Sequence, residues 1–152
     1  MAEVLSWDIV KKELDAREER VLKNKNAAVS LANRYVKHLN DPEKLNQVLA
    51  MANNISTTAG NLQAELKEYE VWTDKRWEAE KALEKVRKME ANNLSASAAD
   101  AYKYQDIQPY LDILVRAASL HLMSQNAKSS AKGTADSIRS RLSWLKDTIR
   151  SS

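Results

Sequence analysis

The segment Tyr69-Glu70-Val71-Trp72-Thr73-Asp74-Lys75-Arg76-Trp77 sets two indoles beside a lysine and an arginine, and Lys81, Lys85, Arg87 and Lys88 carry the cations onward. Rings that stack on bases, next to cations that meet phosphates, are the equipment of single-stranded nucleic acid binding. Between Lys75 and Lys88 stand six basic residues and three acidic ones, an excess that a merely solvated helix face does not require. The candidate nucleic-acid-binding residues are therefore Trp72, Lys75, Arg76, Trp77, Lys81, Lys85, Arg87 and Lys88. A structural role suits the same residues: Trp72 continues a core seam, Trp77 covers a neighbouring helix, and Glu78, Glu80 and Glu84 form a solvated, salt-bridged face with the cations between them.

Catalytic chemistry finds no comparable foothold. His38 and His121 are the two histidines, and neither has a glutamate three residues before it, as the helical di-metal motif requires. Cysteine is absent, which removes thiolate metal sites and disulfides. Ser119 and His121 are too close in sequence to face each other on a helix. Lys132-Gly133-Thr134 ends like a phosphate-binding loop, yet the upstream glycine and the preceding strand are missing. The expectation is a protein that is not an enzyme, with no metal, no cofactor and no small-molecule substrate.

A second basic concentration closes the chain, where Lys128, Lys132, Arg139, Arg141, Lys146 and Arg150 outnumber Asp136 and Asp147. There Ile138, Leu142, Leu145 and Ile149 form an apolar edge, with Trp144 off it. A basic amphipathic helix of this kind docks on another helix, an acidic partner, a membrane surface or nucleic acid. Oligomerisation through the apolar edge is the expectation preferred here. Lys146 and Arg150 also offset the macrodipole at a helix C-terminus.

Long helices must position these groups, because 152 residues contain two glycines and two prolines. Ser6 can cap a helix over about 7–39, whose seam runs through Trp7, Val10, Leu14, Arg17, Val21, Asn24, Ala28, Leu31, Tyr35 and His38 at heptad spacing. Asp41 and Pro42 open a second helix, about 42–91. Its seam follows Leu45, Val48, Ala52, Ile55, Ala59, Leu62, Leu66 and Tyr69, then shortens by one step to Trp72, Arg76, Ala79, Leu83 and Val86, a stammer that overwinds a coiled coil. A connection around Asn92-Asn93 and Ser95 to Ala99 follows, with a short helical turn at about 97–104, capped by Ser97 with Asp100 and carrying Tyr102 and Tyr104. The last helix is expected over about 106–150, with Pro109 in its first turn. Its seam reads Ile107, Tyr110, Leu114, Ala117, His121, Ser124, Lys128, Ala131, Ala135, Ile138, Leu142, Leu145 and Ile149.

Second apolar stripes accompany the outer helices, at Leu22, Val29, Val36 and Leu39 and at Leu111, Val115, Ala118 and Leu122. Two stripes imply more than one neighbour. The pattern predicts an all-α chain: a single helical domain over 1–152, built as an elongated antiparallel helical bundle or coiled-coil hairpin of three long helices, and assembled as a homo-oligomer. The absence of cysteine and of a leader-like start predicts a cytoplasmic protein, and the longest apolar run, Val48 to Ala52, is far short of a membrane span. The net charge of +3 points by itself to no particular partner.

In layout the chain resembles the small recombination mediator proteins of T-even-like bacteriophages, the UvsY type. Glu70 to Lys88 is similar to that family's basic and aromatic DNA-contacting region, and Ser137-Ile138-Arg139-Ser140-Arg141-Leu142-Ser143-Trp144-Leu145-Lys146 to its oligomerising C-terminal helix. The chain departs from the family where Leu142 follows Arg141 in place of a nearby aromatic, and in lacking the glycine turn after the basic segment. The resemblance implies a ring-forming helper that binds single-stranded DNA, loads a recombinase as its partner and has no catalysis of its own. The competing expectation from the residues is a structural or adaptor helical bundle that binds only proteins.

Overall fold

Each of the three helices starts on a side-chain cap. In the computed structural model, which describes residues 4–92 and 95–151, these are α1 (Trp7–Lys37), α2 (Pro42–Asn92) and α3 (Ala96–Ser151), and no described residue lies in a strand. The Ser6 hydroxyl accepts from the Ile9 amide at 3.2 Å, the Asp41 carboxylate from Lys44 at 3.2 Å and the Ser95 hydroxyl from Ala98 at 3.2 Å. Each cap satisfies one of the amide groups that a helix N-terminus leaves without an intrahelical partner.

The third helix corrects the expectation of a late start. Residues 96–105 are helical and continuous with the rest, so Pro109 lies inside α3 rather than in its first turn. The caps explain the difference: Ser95 opens the helix, ahead of the Ser97 and Asp100 pair, whose side chains lie outside those described together with Tyr102 and Tyr104. An internal proline removes one helical hydrogen bond and crowds the carbonyl four residues back. Ile107 before it and Tyr110, Leu111, Ile113 and Leu114 after it pack in the unit 1 core and hold the helix across it.

The chain forms an all-α three-helix bundle that divides into two compact units, each drawing on all three helices. Unit 1 comprises the chain up to Ala16 with Glu65–Leu120; unit 2 comprises Arg17–Ala64 with His121–Ser152. Pairings inside unit 2 show successive helices running in opposite directions. Asn24 meets Thr58 while Arg34 meets Met51, and Lys128 lies against Gly60 while Arg139 meets Asn53.

Unit 2 holds an aliphatic core of Ala28, Leu31, Leu45, Val48, Ala52, Ile55 and Ala59 against Ala127, Ala131, Ala135 and Ile138. Alanine at successive core positions of α3 lets the helix axes approach closely. The buried α3 positions are Leu120, Ser124 and Ala127 where the heptad reading has His121, Ser124 and Lys128. The seam therefore steps back one residue on either side of Ser124, which leaves Lys128 exposed.

Unit 1 is built differently. Trp7, Trp77 and Ile107 are buried together, with Trp72, Tyr110, Leu111, Ile113 and Leu114 packed around them. Trp7 stacks on Tyr110 at 4.8 Å and meets Trp72 edge-on at 5.1 Å. The expected stammer at Trp72 does not occur. After Tyr69 the buried line of α2 continues through Thr73, Trp77, Glu80 and Glu84, while Leu83 and Val86 are exposed. Thr73 and Glu80 keep the heptad register while Trp77 and Glu84 lie one residue beyond it; Thr73 is satisfied by the Glu70 carbonyl of its own helix and Glu80 by the Trp7 indole.

Candidate nucleic-acid interface

The aromatic and basic segment of α2 lies wholly in unit 1, and much of its chemistry is engaged there. Trp77 is 7% exposed and Trp72 half-buried, so the two indoles lie largely in the packing around Trp7. Arg76 Nε is 3.2 Å from Glu80, Lys81 Nζ is 2.8 Å from Glu78 and lies over the Trp77 ring, and Arg87 is 3.3 Å from Glu84. Lys88 reaches Asp106 of α3 at 2.5 Å. Lys75 is exposed and Lys85 partly covered.

Glu80 and Glu84 are the residues whose setting sequence reasoning missed. They are 8% and 7% exposed, not part of a solvated face. Glu80 accepts from the Trp7 indole N–H at 3.4 Å as well as from Arg76. A carboxylate withdrawn from water needs such donors, since leaving it unpaired is costly. The Lys88 ammonium holds the Asp106 carboxyl below the usual carboxylate range, mainly through their hydrogen bond, and Asp106 raises Lys88 in return by the same bond. The geometry of the segment is that of four cations, Arg76, Lys81, Arg87 and Lys88, paired with neighbouring carboxylates around packed rings.

Charge divides sharply between the units. Unit 1 carries 11 Lys/Arg and 15 Asp/Glu, net −4, whereas unit 2 carries 13 Lys/Arg and 6 Asp/Glu, net +7. Part of the reason is α2 between Lys44 and Glu65, where no residue is charged, so this stretch contributes no carboxylate to unit 2. On α3, Lys128, Lys132, Arg139, Lys146 and Arg150 are all exposed. Their spacings of four, seven, seven and four residues keep them within roughly 40° around the helix axis and extend over about 33 Å. Arg139 is the one drawn inward, at 3.0 Å from Asp136 and 3.1 Å from Asn53.

The expected oligomerisation edge sits on the same helix. Ile138 is fully buried in the core of unit 2, Leu142 and Leu145 pack against that core, and Ile149 is 68% exposed. Three of the four side chains thus stabilise the unit itself. Arg141 closes the turn between α1 and α2, donating from Nε to the Leu39 carbonyl at 2.7 Å and from Nη2 to Asn40 Oδ1 at 2.6 Å. Its guanidinium also lies 4.2 Å from the centroid of the Trp144 ring.

Among the described residues no group of three or more His, Cys, Asp or Glu is placed to hold a metal ion, and no helix is long and apolar enough to cross a membrane. The fold and this surface define an all-α helical protein with a charge-segregated exterior. In comparison with known proteins, no family model, no curated protein and no solved structure matches the chain.

Proposed function

We propose that the protein is a non-catalytic binder of single-stranded nucleic acid and that unit 2, rather than the Trp72 to Lys88 segment, carries the contact. The observation behind this reading is the row of five exposed cations on α3 within a unit of net charge +7. Cations in line along a helix neutralise successive phosphates and release condensed counterions, which makes affinity fall with salt. In unit 1 Arg76, Lys81, Arg87 and Lys88 already have carboxylate neighbours, so a phosphate there has to compete with Glu78, Glu80, Glu84 and Asp106. A role as recombination mediator, with a recombinase as partner, is the form this reading takes if the family resemblance is one of function.

The test is titration of a labelled single-stranded oligonucleotide at several salt concentrations. Phosphate contacts by Lys128, Lys132, Lys146 and Arg150 correspond to a slope of about −2.8 in log affinity against log salt. Binding that ignores salt, or no binding at low salt, rejects the proposal.

One observation favours the reading as a protein-binding helical assembly. Leu22, Val29 and Val36, at heptad spacing on α1, are 43%, 59% and 65% exposed. A stripe of that kind suits pairing with a further helix, from a second copy or another protein. Light scattering on the same sample measures the assembly, and Val29→Glu should lower its mass if the stripe is the contact.

A further inference from the structure

Between α1 and α3 of unit 2 lies a shallow, wide-open groove that no expectation from sequence included. It has a volume of about 480 Å³ and is lined by Tyr35, Asp136, Ser137, Ser140, Arg141 and Trp144. Trp144 is 52% exposed although it is a large aromatic, and it stands off the apolar edge that fills the core.

Arg141 fixes this ring. The guanidinium is anchored through two hydrogen bonds to the α1–α2 turn, at Leu39 and Asn40, and from there lies against the indole. A guanidinium has five N–H donors, so these two bonds leave it capacity to donate to a phosphate while it orients the tryptophan. The Ser137 and Ser140 hydroxyls and the Tyr35 side chain add polar lining. Asp136 is the one acidic group lining the groove; its charge is offset by Arg139, and its carboxylate can accept from a base N–H, such as the N3–H of thymine. Arg139 of the cation row adjoins Ser140 of the groove in sequence, but the row lies on the α2 side of the helix and the groove on the α1 side, so a strand that uses both must cross the outer face of α3.

We infer that this groove is a base-stacking subsite: one nucleotide of a bound single strand places its base on Trp144 and its phosphate beside Arg141. This deepens the proposed function and rests on it. The phosphate row supplies affinity without regard to bases, and the groove adds a contact that a chain of phosphates alone does not make.

The experiment measures affinity of the full chain for an oligothymidylate and for an abasic strand of equal length. Wild type should prefer the oligothymidylate. Trp144→Ala should weaken oligothymidylate binding at least about fivefold and narrow the preference, with the salt slope unchanged, and Trp144→Tyr should restore most of the loss. The half-exposed position of the ring lets the variant fold, which far-UV circular dichroism checks. If Trp144→Ala binds like wild type while Lys128→Gln with Lys132→Gln binds more weakly, the subsite is overturned and the basic row stands. If wild type binds neither strand at low salt, both fall.

Discussion

Glu80 shows how much a single residue's setting governs its role. Removing its carboxylate in Glu80→Ala strands the Trp7 N–H and the Arg76 guanidinium, so a destabilisation of about 1–3 kcal/mol is expected in urea unfolding. Trp77→Ala should cost more, about 3–5 kcal/mol, because the ring is 7% exposed within the unit 1 core. Where that variant remains folded, its nucleic-acid affinity should equal that of wild type, since the ring is packed rather than presented. The Lys88–Asp106 pair links stability to pH at both ends. The lowered carboxyl contributes above its unfolded value and loses the contribution as pH falls through the folded one; the raised ammonium contributes below its unfolded value and loses it as pH rises through the folded one. An NMR titration of Asp106 should therefore show its transition moving upward in Lys88→Met. A salt-bridged face that includes Arg76 and Glu80 was legible in the sequence, but the contacts of Glu80 with Trp7 and of Lys88 with Asp106 were not, because they join different helices.

At the level of elements, the sequence was most legible where apolar spacing and caps agreed. Ser6 and Asp41 cap the first two helices as expected, and the α1 seam from Trp7 to Leu31 is buried at its apolar positions. It was least legible where polar residues carry the register. Thr73, Glu80 and Glu84 continue the buried line of α2, and exposed Leu83 and Val86 drew the reading away from it. Pro109 misled in another way, since proline suits a first turn yet here sits within α3. Pro109→Ala should raise stability by about 1–3 kcal/mol by restoring a helical bond, read as a higher midpoint in urea; an unchanged midpoint would contradict this. Gly133 is exposed in the same helix, and a Cβ added there meets nothing within 4 Å. Gly133→Ala should accordingly stabilise by about 0.5–1 kcal/mol, read as a higher midpoint in urea at constant slope.

For the whole molecule, the telling property is a distribution that a net charge of +3 conceals. Net charges of −4 and +7 belong to units whose membership crosses the sequence, each taking pieces from all three helices. No reading of consecutive residues could assemble them, so both basic stretches, that of α2 and that at the end of α3, were legible without the charge of the unit to which each belongs. The candidate surface becomes visible only when Lys128, Lys132 and Lys146 are placed on one exposed face and the carboxylates of unit 1 are counted separately. The most direct measurement compares two triple variants for binding a labelled single-stranded oligonucleotide across a salt series. Lys128→Gln/Lys132→Gln/Lys146→Gln should bind more weakly with a salt slope shallower by about 2, while Lys75→Gln/Lys81→Gln/Lys85→Gln should keep the wild-type slope. The opposite pattern, with the slope lost in the α2 variant and kept in the α3 variant, would contradict the assignment of the interface to unit 2.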